Sequence, residues 1–209
     1  MYVIGQEEAD AVRRVIESRQ LFRYRGGEGG ETDQFETEWA EKIGVKYALT
    51  VTSGTAGLMC ALAGLGLELG DQVIVPAYTW MATAVAPLPF GAIPVLAEVD
   101  ETLTLDAADV ERKITPRTKA VIPVHMSGFP SNMDAVMEAA ARHDLKVVED
   151  ACQACGGVYK GKRLGSIGHA GAFSFNQFKV ISCGEAGATV TNDPDLYHWA
   201  TMYLSLIHI

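Results

Sequence analysis

Short apolar stretches of strand length alternate with amphipathic segments of helical length, and that alternation constrains the chain most. Tyr47–Thr52, Gln72–Val75, Ile93–Val99, Ala120–Val124, Lys146–Glu149, Ala170–Phe175 and Ala188–Thr191 are short and rich in apolar and β-branched residues. Helical patterns separate them: Thr55–Leu67, Thr79 to about Leu88, Asp106–Lys113, a segment ending at His143, and Asp193 to about Tyr203. Near-continuous apolar strands joined by helices imply an α/β fold, a mostly parallel mixed sheet flanked by helices on both faces. Two further helices precede the sheet. Glu7–Ser18 places Ala11, Val12, Val15 and Ile16 on one face, and a helix carrying Phe35, Trp39 and Ile43 stops at Gly44, with Thr32 or Asp33 as its cap. Ser53 is an expected N-cap, and Ser131-Asn-Met-Asp134 has capping-box spacing. There is no internal repeat and no linker that divides the 209 residues.

Composition narrows the function. Seventeen Lys and Arg against 26 Asp and Glu give a net charge of -9, which argues against a nucleic-acid binder. No window has the roughly 18–20 apolar residues of a membrane span. Residues 1–10 lack the basic and apolar regions of a signal peptide, so the expected location is the cytoplasm. The four cysteines do not form a disulfide framework. Cys152-Gln-Ala-Cys155 has redox or zinc spacing but no second ligand pair, so these are read as small residues packed beside a strand end. The glycine-rich run Arg25–Glu31 lacks the Gly-Lys-Ser/Thr ending of a phosphate loop.

In a parallel sheet, ligands sit beyond the carboxyl ends of the strands. Ser53-Gly54-Thr55-Ala56 follows the first strand and opens a helix, whose leading amides suit a phosphate dianion. Alone it is an ordinary cap. Trp80 follows the second strand and can stack on a ring or simply fill the core. Asp150 and Gln153 follow the fifth; Asp150 could pair with a ring nitrogen, and Gln153 could reach a phenolic oxygen. Ser174 and Lys179 follow the sixth. Val180 and Ile181 come next, and apolar neighbours that desolvate an amine favour its neutral, nucleophilic form. An anion pocket, an aromatic platform, a buried acid and an amine together suit pyridoxal 5'-phosphate (PLP). His125 is expected to pack rather than to line the pocket.

The chain resembles the DegT/DnrJ/StrS family of PLP-dependent sugar aminotransferases, of the aspartate aminotransferase-like fold type I. The resemblance rests on Ser53–Ala56, Gly70–Trp80, Thr115–Ala120, Ile122–His125, Glu149–Ala154, Phe173–Lys179 and Gly184–Gly187, and covers about residues 7–203. It implies that residues 1–203 form an N-terminal arm and the large PLP-binding domain. It also implies that Lys179 binds the cofactor as a Schiff base and that Asp150 pairs with the ring nitrogen. Gln153 then lies near the phenolic oxygen, Trp80 stacks on the ring, and Gly54, Thr55, Ala56 and Ser174 hold the phosphate. A dehydratase branch has histidine where this chain keeps Lys179, so transamination is the implied reaction. The amino group would pass from glutamate or glutamine to a keto sugar, in a homodimer. Another PLP reaction on this scaffold (sugar dehydration or a lyase reaction) and a non-catalytic regulatory role remain alternatives.

Two departures stand out. The family commonly reads Gly-Glu-Gly-Gly where this chain has Gly184-Glu-Ala-Gly187. Family members also continue into a smaller C-terminal domain. The last residues, Leu204-Ser-Leu-Ile-His-Ile209, equal a translation of CTG TCT CTT ATA CAC ATC, which looks like a transposase-adapter sequence. The expectation is a truncated gene whose residues 204–209 are a non-native tail; an inactive fragment is a further alternative.

Overall fold

A computed structural model describes residues 4–21 and 29–205 of the chain. Most of the glycine-rich run and the last four residues of the expected tail lie outside them. The elements are α1 (Gln6–Ser18), α2 (Glu31–Ile43), β1 (Tyr47–Val51), α3 (Gly54–Gly64), β2 (Gln72–Pro76), α4 (Ala82–Val85), β3 (Ile93–Ala97), α5 (Ala107–Lys113), β4 (Thr118–Val121), α6 (Met133–Arg142), β5 (Lys146–Asp150), β6 (Val158–Tyr159), β7 (Lys162–Arg163), β8 (Ala170–Ser174), β9 (Gly187–Thr191) and α7 (Pro194–Leu204).

Seven strands form one sheet in the order β1-β9-β8-β5-β4-β2-β3. β9 runs antiparallel to both β1 and β8, and every other neighbouring pair is parallel. The expected mostly parallel mixed sheet is therefore present. The carboxyl ends of β1, β2, β3, β4, β5 and β8 share one edge, with only β9 reversed. Strand periodicity sorts the core into two layers. Val73, Val75, Ala120, Ile122 and Val148 pack with Leu58 and Leu62 of α3 and Leu196 of α7. The alternating Ile74, Val121 and Val147 pack with Val110 of α5 and Met133, Val136 and Ala140 of α6. Each such fully buried aliphatic side chain contributes roughly 1.5–3 kcal/mol. On the same face as α5 and α6, Trp39 meets Phe173 and Phe175 edge-on at 5.2 and 5.1 Å, which fixes α2 against β8.

Several local expectations change. Gly30, not Thr32 or Asp33, caps α2; Asp33 instead reaches back to accept from the Gly30 N–H at 3.1 Å. The cap of α6 is Asn132, because Ser131 is turned inward: its hydroxyl donates to the Val124 carbonyl and its N–H to His125 Nδ1. The stretch expected to be helical from Thr79 to Leu88 keeps only the four-residue α4 and a 3-10 turn at Leu88–Phe90, since Pro87 and Pro89 cannot continue the ladder. The apolar face of α1 does not enter the core: the helix buries no residue, and Val12 and Ile16 are 60% and 63% exposed.

β5 carries two consecutive carboxylates, and alternation sends them to opposite faces. Glu149 follows Val147 into the α5–α6 layer, where it is wholly buried. Its Oε1 accepts from the N–H groups of Ile167 and Gly168, both at 2.6 Å. Its Oε2 accepts from Gly165 N–H at 2.8 Å and pairs with His125 Nε2 at 2.9 Å. His125 Nδ1 already accepts from Ser131, so Nε2 carries the ring proton and donates. His125 thus packs, as expected.

Two predictions follow from this packing. Glu149→Gln is isosteric, yet either orientation of its amide puts an NH2 against a pair of donors. It should cost about 3 kcal/mol or more in urea unfolding, and a loss below about 1 kcal/mol would contradict the network. His169 Nδ1 accepts from Val147 N–H at 3.0 Å, a bond only the neutral ring makes. Burial, aided by the Lys146 charge and opposed by Asp193 and Asp144, lowers its pKa from the ordinary 6.5. The unfolded chain then binds this proton more readily than the folded one. The stabilisation is complete above pH 6.5 and is lost as pH falls below it. Urea midpoints should therefore drop on acidification from about pH 7.5 to about pH 5.5, and His169→Gln should shrink that drop. An identical pH dependence in the variant would refute it.

Candidate active site

Of the expected residues, Trp80, Gln153 and Lys179 line one cleft at the shared carboxyl edge of the sheet; Gly54, Thr55, Ala56, Asp150 and Ser174 are not among its lining residues. Thr79, Trp80, Met126, Ser127, Cys152, Gln153, Cys155, Phe178, Lys179 and Val180 line a cleft of about 420 Å³. They come from the turns after β2, β4, β5 and β8, the carboxyl ends that the topology brings together.

Each turn is shaped by its own sequence. Ser53 caps α3 by accepting from Ala56 N–H at 3.1 Å. That bond occupies the Ala56 amide and leaves Gly54 and Thr55 at the head of the helix, where the helix supplies no acceptor. Gly54 sits where a Cβ would lie 2.7 Å from both Cys152 Sγ and Ser174 Cβ. Only glycine lets the start of α3 come this close to β8 and the β5 turn. Ser174 ends β8, buried, and its hydroxyl accepts from Asn176 N–H at 3.4 Å, which leaves its proton to donate.

The lysine turn is held by Asn176. Its carbonyl oxygen accepts from Lys179 N–H at 2.8 Å, and its side chain accepts from Phe178 N–H and donates to Glu185. Lys179 is half-buried and faces the cleft. Val180 and Ile181 do not enclose it: they are 77% and 46% exposed, which corrects the expectation that they desolvate the amine. Trp80 also lines the cleft and is 72% exposed, so it is not a core indole. Gln153 Oε1 accepts from Ser127 N–H at 3.1 Å, which holds its side chain against the β4 turn.

Asp150 is buried beside Cys152. Its Oδ1 accepts from Cys152 N–H at 3.1 Å, and its Oδ2 accepts from the Thr83 hydroxyl at 2.7 Å. Burial pushes the Cys152 thiol well up, the Asp150 carboxylate adds to the rise, and Lys179 opposes it. The acid and the amine, 29 positions apart in the chain, therefore act on one sulfur atom. Thr79, Thr83, Met126 and Ser127 were not singled out by sequence. The four-residue spacing of Thr79 and Thr83 was the available signal, since it puts both hydroxyls on one side of a helical turn.

Among the described residues no helix is long and apolar enough to cross a membrane. The chain is 47% identical over 164 residues to the GDP-perosamine synthase of Caulobacter vibrioides, covering 78% of this chain and 44% of that protein. It superposes on the aminotransferase from Psychrobacter cryohalolentis with a TM-score of 0.90 and 42% identity, over 96% of this chain and 51% of that one. It superposes on NtdA of Bacillus subtilis, solved with bound cofactor PMP, with a TM-score of 0.83 and 32% identity, over 96% of this chain and 45% of that one. The chain spans about half the length of the curated relatives it matches. A model of the DegT/DnrJ/EryC1/StrS aminotransferase family matches residues 3–206, and the chain belongs to that family.

Proposed function

We propose that this chain is the cofactor-binding part of a PLP-dependent aminotransferase that transfers an amino group from glutamate or glutamine to a nucleotide-linked keto sugar. It would act in the cytoplasm as a homodimer. The observation that carries this reading is that Lys179 and Cys152 line one cleft while the buried Asp150 carboxylate accepts from the Cys152 N–H.

The donor set fits the cofactor. PLP has a phosphate, a ring nitrogen, a phenolic oxygen and an aldehyde. The leading amides of α3 at Gly54 and Thr55, with the hydroxyls of Thr55 and Ser174, suit the phosphate. The Asp150 carboxylate suits the nitrogen, the Gln153 amide the phenolic oxygen, and the Lys179 amine the aldehyde. The indole of Trp80 offers an exposed face for the ring. When bound, the cofactor supplies an electron sink for charge that develops at the donor's α-carbon. Lys179 Nζ then takes the proton that leaves that carbon and holds it for return. Asp150 keeps its carboxylate where a ring cation is stabilised, with its two oxygens fixed by Thr83 and Cys152. GDP in the name of the Caulobacter relative supports a nucleotide-linked acceptor. Retention of Lys179 favours transamination over the dehydratase alternative.

Two experiments test the reading. Borohydride reduction after incubation with PLP should fix the cofactor to the peptide carrying Lys179, and Lys179→Ala should yield no adduct. A trapped adduct in the variant, or one mapped elsewhere in the wild type, would refute the assignment. Gly54→Ala would push α3 off β8. It should weaken PLP binding by tenfold or more and cost about 1–3 kcal/mol in stability. Unchanged affinity would contradict the phosphate placement.

A further inference from the structure

α4 reaches Asp150 through a threonine that the sequence did not single out. Thr83 is wholly buried, and its backbone N–H donates to the Trp80 carbonyl at 3.1 Å. Its Oγ1 donates to Asp150 Oδ2 at 2.7 Å and lies 2.8 Å from the Thr79 hydroxyl. A threonine hydroxyl has one proton. Thr83 gives that proton to the carboxylate, so the proton shared between the two threonines belongs to Thr79. The direction of the chain is thereby fixed: Thr79 to Thr83 to Asp150. Thr79 lines the cleft, and its own proton is committed inward, so towards the cleft it offers lone pairs only.

We infer that Thr83 is a positioning residue that sets the Asp150 carboxylate against the ring nitrogen. We infer also that the Thr79–Thr83 relay makes Thr79 an acceptor for a donor group on the ligand. This rests on the proposed PLP site. One donor on each carboxylate oxygen, Cys152 N–H on Oδ1 and Thr83 on Oδ2, fixes the plane and rotation of the group. The same threonine anchors the Trp80 turn, so the acid and the aromatic platform share one buried support.

The test uses the chain loaded with PLP labelled with 15N at the pyridine nitrogen. Thr83→Val keeps shape and removes the hydroxyl. It should raise the Kd for PLP about tenfold and move the pyridine 15N resonance towards the unprotonated position. Thr83→Ser should restore both. Thr79→Val, at the cleft wall, should shift both in the same direction by about threefold in Kd, and it decides alone if Thr83→Val does not fold. A purely structural role would change the melting temperature but leave the resonance in place. An unchanged resonance in Thr83→Val, or a serine variant that behaves like valine, overturns the inference alone. A wild-type chain that takes up no PLP overturns the proposed function and the inference with it.

Discussion

A buried carboxylate with four donors holds the site together. Glu149 ties the end of β5 to the Gly165–Gly168 segment and, through His125, to the turn after β4. An unpaired carboxylate in this layer would be costly; with every donor in place it becomes a rigid junction. Asp150 is the next residue, and its backbone joins the same junction, since Asp150 N–H donates to the Pro123 carbonyl and His125 N–H donates to the Asp150 carbonyl. The strand pleat separates the two acids. One is saturated on the α5–α6 layer, and the other is buried on the opposite face, held by Thr83 and by the N–H of the cleft-lining Cys152.

The cleft owes its contents to topology more than to any single motif. Parallel pairing places the turns after β2, β4, β5 and β8 at one edge although they span about a hundred positions. Close packing then sets the spacing. Gly54 lets α3 approach Ser174 and Cys152, so a helix N-terminus and a hydroxyl come to the same wall as the lysine turn. The rim is apolar and open, with Trp80, Phe178 and Val180 largely exposed.

Much of this was legible in the sequence because its signals are local. The alternation of apolar strands and helices gave the sheet. Gly44, Ser53, Asp106 and Asp193 marked helix ends, and strand ends marked the site. What stayed hidden depends on partners distant in the chain. Ser131 looks like a cap until His125 claims its N–H. Val180 and Ile181 look like a desolvating wrap, but the tight Asn176 turn faces them outward. Glu149 reads as half of an acidic pair, and only the fold supplies its four donors. Thr83 reads as one more helix-surface threonine until β5 is placed beside it. α1 has a clear amphipathic pattern, yet nothing in the pattern says that its apolar face stays outside this core.

The central claim is that one cofactor ring is held between the amine of Lys179 and the carboxylate of Asp150. A crystal structure of the protein grown with pyridoxal 5'-phosphate tests it most directly. The account predicts continuous density from Lys179 Nζ into the ring and an Asp150 oxygen within hydrogen-bond distance of the ring nitrogen, with the phosphate at the start of α3. A ring bound elsewhere, or bound in the cleft with its nitrogen turned away from Asp150, would contradict it.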